Sequence, residues 1–181
     1  MKLTLFGIVL VVFIVFISFK IYNESAMFNL KCIVSDINGK KYCVRERAKL
    51  GLAADLLART SQKLEKLTKY LDNTYPDREN INRLVKGFNP DKISETLPTS
   101  EFTAYSENKG EKLAFCLNKN KNGKKLIDEN TLMFVALHEL AHIMTESVGH
   151  NEVFWKNFKF LIENAKEIKV YVPVDYKKDN G

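Results

Sequence analysis

The chain has 181 residues, with 28 lysines and arginines against 22 acidic residues and a formal net charge of +6. That length suits one domain of ordinary size, and an apolar fraction of 45% is normal for a globular protein. The positive charge permits contact with anionic surfaces, but the lysines are scattered and no basic–aromatic module accompanies them, so specific nucleic-acid binding is not expected.

Leu3 to Phe19 is an apolar run broken only by Thr4, Gly7 and Ser18. As a helix it covers about 26 Å, and Ile21 and Tyr22 beyond Lys20 lengthen it and add an interfacial aromatic. It ends in Ser18-Phe19-Lys20 and lacks the small residues of a signal-peptide cleavage site. Residues 1–22 are therefore expected to form a retained single-pass membrane anchor, 23–45 a juxtamembrane segment and hairpin, and 46–181 the main domain. Lys20, Lys31, Lys40 and Lys41 point to a cytosolic domain by positive-inside counting. A Cys32–Cys43 bridge would point the other way.

Asn29 to Ser35 and Lys41 to Val44 read as strands joined through the turn pair Asn38-Gly39. Cys32 and Cys43 flank that turn, either as a disulfide or as two half-buried thiols. From Arg45 the pattern becomes helical. Leu50, Leu57, Leu64 and Leu71 recur every seven residues, with Ala53 and Leu67 between them, and mark a long core-packing helix ended by Asn73 to Pro76. A shorter helix spans Glu79 to Lys86, stopped by Gly87-Phe88-Asn89-Pro90, and a polar stretch follows to Pro98. Glu101 to Ser106 and Glu111 to Leu117 read as strands around a turn with Gly110 in the left-handed position. Asn118 to Lys125 is a basic loop. A helix then runs from Asp128 to about Ser147, N-capped by Asp128 or Thr131. A last helix covers about Asn151 to Lys166, and Val170 to Val174 is extended. The expected fold class is α+β: a long helix, a small antiparallel sheet, an active helix and a C-terminal helix, behind a transmembrane helix.

All three histidines fall within thirteen residues, as His138-Glu139-Leu140-Ala141-His142 and, after Gly149, His150. Positions i and i+4 share a helix face, so His138 and His142 can reach one cation while Glu139 reaches a water on it. This H-E-x-x-H arrangement suits a Zn2+ hydrolase, with Glu139 as general base. A catalytic zinc needs a third protein ligand and an open position. His150 is preferred over Glu163 for that ligand, since imidazole suits zinc and Gly149 lets the chain fold back. The metzincin spacing is excluded, because Thr145 and Val148 stand where it requires glycine and histidine. The transition state also needs an electrophile opposite the metal, for which Tyr105, Tyr171 and Tyr176 are candidates.

The segment from His138 to His142, followed by Gly149-His150-Asn151 and then Phe154-Trp155, resembles the WLM and SprT-like minimal zincins, the Wss1/Spartan type of metallopeptidase. The match covers about residues 100–165, and there is a looser likeness to membrane-anchored proteins of large DNA viruses. The resemblance implies a zincin-like core, His138, His142 and His150 as ligands, Glu139 as catalytic base and a polypeptide substrate. Members of this type often cleave proteins crosslinked to DNA. In such zincins an edge strand lies beside the substrate backbone, here Glu111 to Leu117 or Thr103 to Ser106. The alternative is a non-catalytic, membrane-anchored structural or binding protein, in which a fourth ligand such as Glu146, Glu152 or a cysteine closes the zinc site.

Overall fold

The computed structural model describes residues 5–27, 30–119 and 125–174. Helix α1 (Leu5–Met27) precedes a hairpin of β1 (Leu30–Val34) and β2 (Lys41–Arg45). Two helices follow, α2 (Leu50–Thr74) and α3 (Glu79–Gly87), then three short strands, β3 (Ile93–Glu95), β4 (Ala104–Glu107) and β5 (Lys112–Phe115). The chain closes with α4 (Glu129–Met144) and α5 (Glu152–Glu167). Five strands form one sheet in the order β1-β2-β3-β5-β4.

The leucine stripe of α2 does what its spacing requires. Leu57, Leu64, Leu67 and Leu71 are fully buried, together with Ala53 and Ala54. This helix packs on β1, β2 and β3 and also against α3, α4 and α5, while α4 packs on β4 and β5. Because α2 and α4 touch each other, both lie on the same face of the sheet, and the core fills the space between. The histidine helix begins as its sequence demands: Asp128 accepts hydrogen bonds from the Thr131 amide at 2.8 Å and from its hydroxyl at 2.5 Å.

The sheet departs from the antiparallel arrangement expected. β1–β2 and β4–β5 are antiparallel hairpins, but β2–β3 and β3–β5 run parallel. The long crossover through α2 and α3 returns the chain to the sheet in the same direction, which a tight turn cannot do. β3 lies inside the stretch read only as polar. A buried ionic cluster holds this short strand in place. Glu95 accepts from the Arg45 amide at 2.7 Å and is ion-paired with Arg47, and the Arg45 guanidinium donates to the Thr96 and Leu97 carbonyls. A sheet pairing therefore rests on a carboxylate whose side chain is wholly buried. In the first hairpin, Cys32 stands opposite Cys43 and the two are joined in a disulfide. Cys116 is free and buried.

The expected single-pass anchor is not borne out: among the described residues, no helix is long and apolar enough to cross a membrane. In α1 (Leu5–Met27) the apolar run is interrupted by the charged Lys20. Beyond it the helix continues into Asn23-Glu24-Ser25, which are polar and do not extend the apolar run.

Glu95→Ala is expected to cost about 3–5 kcal/mol, because it leaves two arginines with an uncompensated buried charge. Chemical denaturation of the variant beside the wild type measures this, and a loss under 1 kcal/mol would contradict the role given to the cluster.

Candidate metal centre

His138 and His142 project from one face of α4, and the chain after Met144 turns back to bring His150 onto that face. Thr145 ends the helix: its amide and hydroxyl both donate to the Ala141 carbonyl, and Asn157 of α5 donates to its hydroxyl at 2.9 Å. Gly149 makes the return with φ +89°. Asn151 then caps α5 by accepting from the Phe154 amide, and it also donates to the Ser147 hydroxyl at 2.5 Å. One asparagine therefore starts a helix and closes the loop that carries His150.

One donor nitrogen from each of His138, His142 and His150 lies within 4.8 Å of the others. The Nε2 atoms of His138 and His150 are 2.9 Å apart. Two nitrogens at 2.0–2.1 Å on a tetrahedral zinc stand about 3.3 Å apart, so this spacing needs only small side-chain adjustment to seat the ion. Burial first, and then the charge of His150, lowers the pKa of His138. Burial, followed by the charges of His138, His150 and Lys109, lowers that of His142 to about 4. Both rings are thus neutral near pH 7 and offer lone pairs, the form a metal requires. Phe154 forms a common floor. Its fully buried ring has its centroid 4.9 Å from that of His138, 4.4 Å from His142 and 4.6 Å from His150.

Glu139 is 6% exposed, and its carboxyl has no hydrogen-bond partner among the described residues. Burial pushes its carboxyl up to about 7 in the metal-free chain. A carboxyl in that range can both take and return a proton near neutral pH.

The three histidines and Glu139 open onto a cleft of about 580 Å³. Phe102, Ala104, Tyr105 and Ser106 line it, together with Val148, Gly149 and His150. Of the two strands considered for substrate pairing, β5 is hydrogen-bonded on both sides, whereas β4 is the sheet edge and reaches the cleft. Tyr105 lines the cleft. Tyr171 does not; it is 4% exposed and packs on Phe134. Tyr176 lies outside the described residues. Glu163 faces Lys159 at 3.9 Å and does not join the cluster. Neither Glu146 nor Glu152 joins it; both are exposed and face Arg83 and Lys156 respectively. Among the described residues, then, three protein ligands meet and no fourth accompanies them.

Sequence reasoning matched Phe154 only as part of a motif and took Lys109 only as a turn residue. The first proves to support all three imidazoles, and the second borders the cleft. An aromatic four residues after the third histidine was the available signal for Phe154.

A helix bearing two histidines and a glutamate, completed by a histidine from the following turn and set against a small mixed sheet, defines a domain of zinc metallopeptidase type. Residues 78–181 match the family model of the WLM domain, and the chain belongs to the WLM family of metallopeptidases. It is 32% identical over 182 residues to an uncharacterised protein of Acanthamoeba polyphaga mimivirus, spanning 95% of this chain and 86% of that one. A 57-residue stretch is 37% identical to an uncharacterised protein of Invertebrate iridescent virus 6, covering 31% of this chain and 32% of the relative. Wss1 from Saccharomyces cerevisiae shares the fold, with a TM-score of 0.53 at 17% identity over 70% of this chain and 88% of that one. The expected likenesses to WLM proteins and to proteins of large DNA viruses both hold.

His150→Ala is expected to abolish zinc retention through gel filtration, whereas Glu163→Ala keeps one zinc per chain. Metal analysis of both purified variants distinguishes them, and the opposite pattern would overturn the choice of third ligand.

Proposed function

We propose that the chain is a zinc-dependent endopeptidase acting on polypeptide laid along the open edge of β4. The observation that supports this best is the meeting of three imidazoles, without a fourth protein donor among the described residues, beside a buried carboxyl group. His138, His142 and His150 would hold the ion. When bound, zinc polarises a substrate carbonyl and lowers the pKa of a water to about 7.

The remaining steps fall to the chain's own residues. Among the described residues β4 is paired only with β5, so the amides and carbonyls of its outer edge can bind an extended peptide backbone by strand addition. Glu139 takes the proton of the attacking water and delivers it to the departing amine. Its burial favours the neutral acid, while a nearby cation favours the carboxylate, and the two together keep the group ready for either role. The Tyr105 hydroxyl, on the cleft wall, is assigned to the developing oxyanion. Phe102 and Val148, 65% and 91% exposed, give the cleft apolar walls.

The closed structural site would need a further ligand, and the glutamates and cysteines considered for it are engaged elsewhere or stand apart from the cluster. Glu139→Gln is expected to keep its zinc and lose casein cleavage by about 10²- to 10⁴-fold, the range of a general base. Equal cleavage by both forms would overturn the role of Glu139, and no cleavage by the zinc-loaded wild type would overturn the enzyme itself. Tyr105→Phe is expected to lower turnover with zinc content unchanged, read from kcat alongside metal analysis; unchanged kcat would remove the tyrosine from the mechanism.

A further inference from the structure

We infer that Lys109 is a positioning residue for the third metal ligand, tying the loop that carries His150 to the turn between β4 and β5. This rests on the reading of His138, His142 and His150 as a metal centre.

Lys109 sits at the tip of the β4–β5 turn, where Asn108, Lys109 and Gly110 have φ of 45°, 57° and 108°. Two consecutive non-glycine residues in the left-handed region persist only where their surroundings enforce it. Here the surroundings are close on every side. The Asn108 amide donates to Glu111 at 2.7 Å, and the Gly110 amide donates to the Glu107 carbonyl at 3.0 Å. A Cβ on Gly110 would lie 2.5 Å from the Gly87 carbonyl oxygen and 2.7 Å from Ile143. One on Gly87 would lie 2.6 Å from both the Lys109 carbonyl oxygen and Ile143. The turn is thus wedged between the end of α3 and the last turn of α4, and the base of the Lys109 side chain has a fixed origin.

From that origin the ammonium crosses to the loop after α4. It donates to the Thr145 carbonyl at 2.8 Å and to the Ser147 carbonyl at 3.2 Å. These carbonyls lie just past the negative end of the helix, where a cation is favoured. The loop has little packing of its own: Ser147, Val148 and His150 are exposed, and Val148 is 91% exposed. His150 lies three residues beyond Ser147, so fixing both carbonyls fixes the direction from which its ring approaches His138. Arg83 holds the Met144 carbonyl at 2.9 Å from the side of α3, and Asn151 holds Ser147 from within the loop. Lys109 adds the tether from the cleft wall that carries β4, so the substrate edge and the third ligand share one anchor.

Three full-length proteins test this: wild type, Lys109→Met, which keeps most of the stem and removes the charge, and Lys109→Arg, which restores two donors. Zinc affinity is read by competition with a chromophoric chelator, cobalt(II) absorption reports ligand geometry, and a thermal melt checks folding. Lys109→Met is expected to bind zinc about 10- to 100-fold more weakly, the cost of losing an outer support of a ligand, with an altered cobalt spectrum. Lys109→Arg is expected to recover most of the affinity. Wild-type zinc affinity in Lys109→Met, with or without a lower melting temperature, overturns the inference alone. If Lys109→Met does not fold, Lys109→Gln is read in the same competition, and affinity equal to wild type there overturns it too. A wild-type chain that takes up no zinc overturns the metal centre and this inference with it.

Discussion

The arrangement depends on one packing contact, the seating of three imidazoles on the ring of Phe154. A metal binds histidines through deprotonated ring nitrogens that stand close together and aim inward, an arrangement that has to be built by packing. The buried ring supplies a dry floor beneath the three imidazoles, where burial lowers the pKa of His138 and His142, and its place in the first turn of α5 fixes its height beneath α4. What holds Phe154 therefore also holds the site: the Asn151 cap, the Asn157–Thr145 bond between α5 and the end of α4, and the apolar contact between those helices.

The WLM match begins at residue 78, but the folding unit is larger. Helix α2 lies wholly before that point, yet its buried leucines pack on three strands and on α3, α4 and α5. Its Arg59 and Lys63 reach Glu129 in the first turn of the histidine helix. The alignment with the mimivirus relative spans 95% of the chain, so the segment before the family match is shared with that protein as well. The ionic cluster of Arg45, Arg47 and Glu95 joins the two parts of the chain within a single sheet.

Much of this was legible in the sequence because the signals were local. The leucine repeat gave α2, Asp128 and Asn151 gave the starts of α4 and α5, and Asn38-Gly39 gave the first hairpin. The clustered histidines located the candidate site. What escaped was set by contacts distant in sequence. β3 spans three residues whose pairing depends on arginines about fifty positions away, so no periodicity announces it. The parallel pairings follow from a crossover direction that strand patterns do not encode. Lys109 looks like any turn lysine until its ammonium is seen on two carbonyls 36 and 38 residues downstream. Tyr105 and Tyr171 are indistinguishable by residue type, and only the edge position of β4 and the burial of Tyr171 separate them. At the start of the chain, the apolar run was read correctly as a helix and incorrectly as a membrane span.

The central claim is that one zinc ion binds three imidazoles and keeps a position open to solvent. X-ray absorption at the zinc edge of the loaded, full-length protein tests it most directly. The account predicts three histidine nitrogens and one further light atom from water, all at about 2.0–2.1 Å. A sulfur ligand, a fourth protein donor, or the absence of stoichiometric zinc would contradict it.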